Sequence, residues 1–185
     1  MDIKKMLLIV DVQDAFFDQK WGERNNLNAE NNIKTVLDVW RQNRWEVIHV
    51  QHKSDHPSSV FYENGEGFAI KEIVAPLDNE KIITKTVISA FIGTDLNDYL
   101  KNIGTSHVVV TGLTTPHCVS TTTRMSGNLG YDTYLLSDAT AAFELNDHNG
   151  NKVDAETVHH ISLATLHDEF ATVLTTKQYL ENFTQ

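Results

Sequence analysis

A thiol, an ammonium and a carboxylate stand at the ends of apolar runs in this 185-residue chain. Cys118 is the only cysteine. It lies in Gly112-Leu113-Thr114-Thr115-Pro116-His117-Cys118-Val119, directly after the run His107-Val108-Val109-Val110-Thr111. A β-branched run, then glycine, proline and sulfur, is the layout of a strand end that aims a side chain at a ligand. A lone thiol cannot form an intramolecular disulfide, and it lacks the partner thiolates of a cysteine-rich zinc site. It is either a buried, inert thiol or a nucleophile. Asp11 follows the apolar run 6–10, and Lys85 follows a run centred on Ile82 and Ile83. In open α/β sheets, ligands bind beyond the carboxyl ends of the strands. There a carboxylate can take a thiol proton, while an ammonium holds the carboxylate and lowers the cost of a nearby thiolate. Each residue has a plainer role when taken alone: turn former, solvated charge, buried filler.

Such groups need rigid elements beneath them. Apolar runs at residues 6–10, 47–50, 81–84, 108–111, 133–136 and 170–174 have strand length. Ile33, Val36, Leu37 and Trp40 recur at helical spacing, so residues 29–43 read as an amphipathic helix with Asn28 as N-cap. Leu96, Tyr99, Leu100 and Ile103 repeat that spacing, with Thr94 as cap and Gly104 as stop. A third helix is expected over 116–129, with Thr115 capping it and Pro116 at its first position. A fourth starts near Asp154, and a short one closes the chain over 177–183. Strands alternating with helices argue for a parallel sheet covered on both faces, a three-layer α/β/α fold. Residues 51–79 form one long irregular stretch, with a short helical turn expected near 69–74. Loops of that length in a compact domain are usually functional. In the first turn of its helix, Cys118 would gain about 0.3–1 kcal/mol for the thiolate, up to ~2 when partly buried. With Lys85 and Asp11 nearby, its pKa is expected below the usual value of about 8.5.

The formal net charge of −10 repels phosphate backbones, and lysines and arginines are scattered, so nucleic-acid binding is not expected. Apolar content of 41% and charged content of 22% fit one globular domain over residues 1–185. A single cysteine fits a reducing compartment. The apolar segment after Met1-Asp2-Ile3-Lys4-Lys5 is too short for a signal peptide or a membrane span. A cytoplasmic protein without membrane attachment is expected.

Four segments carry a family resemblance. They are Val10-Asp11-Val12-Gln13-Asp14-Ala15-Phe16; Ile83-Thr84-Lys85 with Ser89-Ala90-Phe91-Ile92-Gly93-Thr94; Val110 to Val119 with Thr122-Thr123-Arg124; and Ser137-Asp138-Ala139. Together, over about residues 5–174, they resemble the isochorismatase-like cysteine hydrolases, which include nicotinamidases and N-carbamoylsarcosine amidase. The resemblance implies a Rossmann-like, mostly parallel six-stranded sheet of order 3-2-1-4-5-6 and a triad of Asp11, Lys85 and Cys118. It also implies a non-proline cis peptide between Leu113 and Thr114, an oxyanion hole from the Thr114 and Cys118 N–H groups, and a homodimer or homotetramer. In that order the first and third strands are separated by about 10 Å. Lys85 must therefore lean past the second strand to reach Asp11.

The chain departs from the family at one place. Nicotinamidases resemble one another in an Asp-x-His plus second histidine metal site after the second strand. Here that segment reads Val50-Gln51-His52-Lys53-Ser54-Asp55-His56-Pro57. His49, His52 and His56 are the available histidines, and neither a metal nor another cofactor is expected. True isochorismatases lack the cysteine, so Cys118 directs the reading to acyl transfer. The expected reaction is hydrolysis of an amide or ureido C–N bond in a small molecule through a thioester. Gln13, Phe16, Trp21, Phe91 and His117 are the candidate substrate contacts. His159, His160 and His167 are assigned to core or surface. The same triad could cleave an ester or enol ether. Outside enzymology, Cys118 could serve as a redox or electrophile sensor.

Overall fold

The computed structural model describes residues 4–183; Met1, Asp2, Ile3, Thr184 and Gln185 lie outside the described residues. The strands are β1 (Lys5–Val10), β2 (Glu46–His52), β3 (Lys81–Lys85), β4 (His107–Leu113), β5 (Asp132–Ala141), β6 (Leu145–Asn146), β7 (Lys152–Val153) and β8 (Thr172–Leu174). The helices are α1 (Ala29–Asn43), α2 (Leu96–Ile103), α3 (Ser120–Asn128), α4 (Ala155–Ala164) and α5 (Thr176–Phe183).

Side chains alternate across a strand, and β1 uses both of its faces. Met6, Leu8 and Val10 pack with Leu96 and Leu100 of α2 and with Val119. Leu7 and Ile9 pack on the other side with Ile33, Val36, Leu37 and Trp40 of α1 and with Tyr179 of α5. Both faces are therefore dry, and the sheet is the middle of three layers. Its order is β3-β2-β1-β4-β5-β8, with every neighbouring pair parallel. The expected order holds, but the outermost strand is the eighth in the chain. A small antiparallel pair, β6–β7, intervenes. Its turn is built on Asp147, whose Oδ1 accepts the Asn149 and Asn151 N–H groups at 2.8 Å. Asn149-Gly150 was a readable hairpin signal.

Two caps differ from expectation. Asn28 holds the N-cap position of α1, but its side chain accepts from Asn31 Nδ2 at 2.7 Å rather than from the helix backbone. The α2 cap position is Asp95, with Thr94 Oγ1 accepting the Leu96 N–H at 3.4 Å. The expected turn over 69–74 resolves into two short ones, Glu66–Phe68 and Glu72–Val74. The third helix becomes regular only at Ser120. Its run of small hydroxyl residues has poor helix propensity and is held by contact. Thr122 Oγ1 accepts the Ala90 N–H at 3.1 Å, and Ser126 Oγ meets Thr133 Oγ1 at 2.7 Å. Among the described residues, no helix is long and apolar enough to cross a membrane.

Candidate active site

Gly112 sets the level of the site. Its φ is +123°, and a Cβ there would lie 2.0 Å from the Val10 carbonyl oxygen. Glycine alone lets β4 close against β1 at this point. β4 also slips register against β5 between Val110 and Gly112. The next peptide, Leu113–Thr114, is cis, as expected. A wide turn follows over Thr115–Val119, in which the Val119 N–H reaches back to Thr114 O at 3.3 Å. Thr115 does not cap it. The Thr115 hydroxyl instead meets His159 Nδ1 at 2.8 Å. His159 lies 3.3 Å from Asn26 Nδ2, which also donates to Ser137 O and Thr140 O. The turn bearing Cys118 is thus fastened to α4 by a buried histidine.

Asp11 follows β1 with φ of 51°, the left-handed region that Asp tolerates better than bulkier residues. Its N–H is tied to Val50 O at 2.9 Å. Lys85 closes β3, in register with His52 on β2. Its ammonium extends past the end of β2 and lies 2.7 Å from Asp11 Oδ2, 2.9 Å from His52 Nδ1 and 3.4 Å from Cys118 Sγ. The required lean across the sheet is therefore made, and His52 marks its midpoint. The Asp11 and Lys85 side chains are both fully buried. The Asp11 carboxyl is held between the Lys85 ammonium and the Cys118 thiol, both within its hydrogen-bonding reach. A buried carboxyl group beside a thiol is positioned to exchange a proton with it.

Burial pushes the Asp11 carboxyl above its usual range, with the Lys85 charge pulling the other way. Burial also pushes the Cys118 thiol up to about 12; the Asp11 charge adds to this and Lys85 opposes it. The expected depression of the thiol is therefore corrected. A helix-end field worth at most ~2 kcal/mol does not offset the loss of water around a thiolate. The resting thiol is neutral and lies beside the buried contact of Asp11 with Lys85. His52 is held down to about 4 by burial and then by the Lys85 charge. It is neutral, with Nδ1 accepting from Lys85 and the ring proton on Nε2.

The thiol opens into a cavity of about 240 Å³. Its apolar lining is Phe16, Trp21, Phe61 and Ile88, and Thr114, His52 and His117 line it beside Cys118. A larger hollow of about 560 Å³, bordered by Asp14, Phe17 and Asp18, does not reach the thiol. Asp11, His52 and Cys118 offer ligand atoms within 4.8 Å of one another. The Lys85 ammonium touches all three, so this donor set already surrounds a cation and does not fit a metal ion. His49 is bonded to Glu80 at 2.9 Å and His56 is exposed, so His49, His52 and His56 do not converge.

The model of the isochorismatase domain matches residues 5–178. The chain belongs to the isochorismatase family of hydrolases. This isochorismatase-family chain is 64% identical to the isochorismatase family protein YrdC of Bacillus subtilis, over 99% of its own length and 98% of that protein's. An isochorismatase-family structure from Chromobacterium violaceum superimposes with a TM-score of 0.95 at 36% identity, covering 98% of this chain and 94% of that one. The ureidoacrylate amidohydrolase RutB of an Enterobacter species is 26% identical over 72% of this chain and 74% of its own.

Of the expected substrate contacts in this isochorismatase-family chain, Phe16, Trp21 and His117 line the cavity. Two do not. Gln13 is fully buried, and its amide is used up on the backbone of His52 and Phe68. Phe91 packs in the core, stacked on Tyr131 at 6.1 Å. His52, Phe61 and Ile88 were missed as wall residues. Phe61 arrives from the long loop after β2, whose length was the available signal.

Proposed function

We propose that this chain is a cysteine hydrolase of a small-molecule C–N bond, amide or ureido, acting through a thioester. The observation that carries the reading is the Lys85 ammonium, 2.7 Å from the Asp11 carboxylate and 3.4 Å from Cys118 Sγ, beneath a small cavity. The amidohydrolase named among the relatives supports the bond type.

The reaction draws on the chain's own groups. As the substrate docks, Asp11 takes the Cys118 proton and sulfur bonds to the carbonyl carbon. The carbonyl electron pair moves to oxygen, which receives the Thr114 and Cys118 N–H groups. Donors of this kind are worth about 10²–10³ in rate each. The C–N bond then breaks, nitrogen takes the proton from Asp11, and the amine leaves a thioester. Water gives a proton to Asp11 and its oxygen bonds to the carbonyl carbon. The C–S bond breaks and Asp11 reprotonates Cys118. Lys85 remains charged throughout and stabilises each form of Asp11 that bears charge. A raised thiol suits this scheme, because the proton moves only once the oxyanion has a place to form. It does not suit a redox sensor, which depends on a standing thiolate.

In this reading the chain acts as one domain over residues 1–185, in the cytoplasm, as a dimer or tetramer. Incubation with primary amides and ureido compounds, followed by intact mass measurement, tests the chemistry. The expected result is an acyl adduct on the wild type that is lost in Cys118→Ala. Full turnover by Cys118→Ala would end the thiol mechanism.

A further inference from the structure

We propose that the substrate is a small, uncharged carboxamide with an apolar acyl body, and that the site rejects acyl groups bearing a carboxylate. This inference rests on the hydrolase reading above and names its substrate class.

No Lys, Arg, Asp or Glu side chain lines the 240 Å³ cavity. Its walls are three aromatic rings and an isoleucine. Phe16 lies 5.2 Å from Trp21 and 5.4 Å from Phe61, centroid to centroid. The Trp21 indole N–H is turned away from a ligand, donating to Ala15 O at 2.9 Å. The polar edges carry no charge at neutral pH. His52 is held neutral as described, and burial lowers His117 as well.

The cations closest to this wall are committed elsewhere or stand outside it. Lys85 is fully buried against Asp11. Lys53 is paired with Glu63 at 2.7 Å and Asp55 at 3.3 Å. Arg24 is paired with Glu30. Lys20 lies over the Trp21 ring at 4.9 Å, on an exposed stretch. A carboxylate drawn into the cavity would lose its water and gain no ion partner, which is strongly unfavourable. The chain's net charge of −10 adds a long-range term of the same sign. The size of the cavity falls below the range for drug-sized ligands, which sets the scale of the acyl group.

The test compares three primary amides of similar size: benzamide, 4-carbamoylbenzoate and 4-(aminomethyl)benzamide. Ammonia release gives kcat/KM for each. The expected result is turnover of benzamide with at least about a 100-fold lower value for 4-carbamoylbenzoate. Equal or better use of either charged amide overturns the assignment, and loss of an anion preference in Lys20→Ala would locate the missed contact. Ile88→Arg places a cation at the cavity wall, and it should raise the 4-carbamoylbenzoate to benzamide ratio about tenfold or more. An unchanged ratio in a folded Ile88→Arg protein counts against the cavity as the acyl site.

Two further measurements separate the class from the chemistry. Binding of the same three amides to Cys118→Ser, followed by ligand-observed NMR, reads selectivity without turnover. Preference for benzamide supports the class, and equal binding or none overturns it. Acylation of wild-type Cys118 by p-nitrophenyl acetate, read by intact mass, reports on the nucleophile alone. An acylated enzyme that prefers the anionic amide loses the class and keeps the hydrolase reading. An enzyme that is never acylated but binds benzamide selectively keeps the class and loses the thiol chemistry.

Discussion

Gln13 grips His52 by its backbone from both sides. Its Oε1 accepts the His52 N–H at 2.8 Å, and its Nε2 donates to the His52 carbonyl at 3.0 Å. Since His52 Nδ1 in turn accepts from Lys85, Gln13 sets the position of the ammonium without touching it. Gln13→Leu should cost about 2–4 kcal/mol, because the His52 N–H, the His52 carbonyl and the Phe68 carbonyl all lose its amide. Urea unfolding measures that loss. The variant should also lower kcat more than it raises KM, as expected of a residue that acts through the Lys85 position.

Lys85→Met should make stability more sensitive to pH. Burial already raises the Asp11 carboxyl, and removing the ammonium raises it further. The folded state then holds a proton that the unfolded state releases above about pH 4. Stability therefore falls as pH rises from that value through the folded pKa. Chemical unfolding at pH 5 and pH 8 should show a larger deficit at pH 8. A deficit that is the same at both would mean that Asp11 does not depend on Lys85 for its charge.

The resting thiol should react slowly. With its pKa pushed up to about 12 by burial, Cys118 is almost wholly protonated at pH 8. Iodoacetamide should label it far more slowly than a free cysteine, with a rate that keeps climbing above pH 9. A plateau by pH 7 would reveal a standing thiolate and contradict the docking-coupled proton transfer.

Glu80 is an acid-sensitive point far from the thiol. Burial alone would raise its carboxyl, but hydrogen bonds from Arg41, the Leu77 N–H and His49 outweigh it and hold it down to about 2. Its stabilisation is complete above the unfolded value of about 4.3 and is lost as pH falls toward 2. Glu80→Gln should move the midpoint of acid unfolding to higher pH. An unchanged midpoint in circular dichroism would remove Glu80 from the acid response.

The placement of Asp11, Lys85 and Cys118 was legible because strand ends and residue types are local features. The strand order came from motif resemblance, since periodicity says which segments are strands and not which neighbours they choose. Gln13 and Phe91 do not line the cavity for one shared reason: they flank the motifs, and nearness in sequence to a motif does not fix where a side chain turns. Gln13 turns instead to backbone groups of β2 and of the long loop, and Phe91 turns inward to Tyr131. Phe61 sits in a loop with no repeating pattern, so its place depends on tertiary packing alone. The state of the thiol is not legible in the sequence, because a helix-end field can be estimated there whereas the depth of burial cannot.

The strand order 3-2-1-4 also governs when the site can exist. Its carboxylate, ammonium and thiol follow or close strands that are far apart in the chain and joined by no hairpin. Each β1–β2, β2–β3 and β1–β4 pairing is a long-range closure, the kind that forms late and slowly in folding. No contiguous half of the chain holds all three groups with their sheet beneath them. Regain of turnover on refolding is thus a clock for completion of the central sheet. It should lag behind recovery of helical signal, and a chain nicked in the long loop after β2 should work only while its two pieces stay paired.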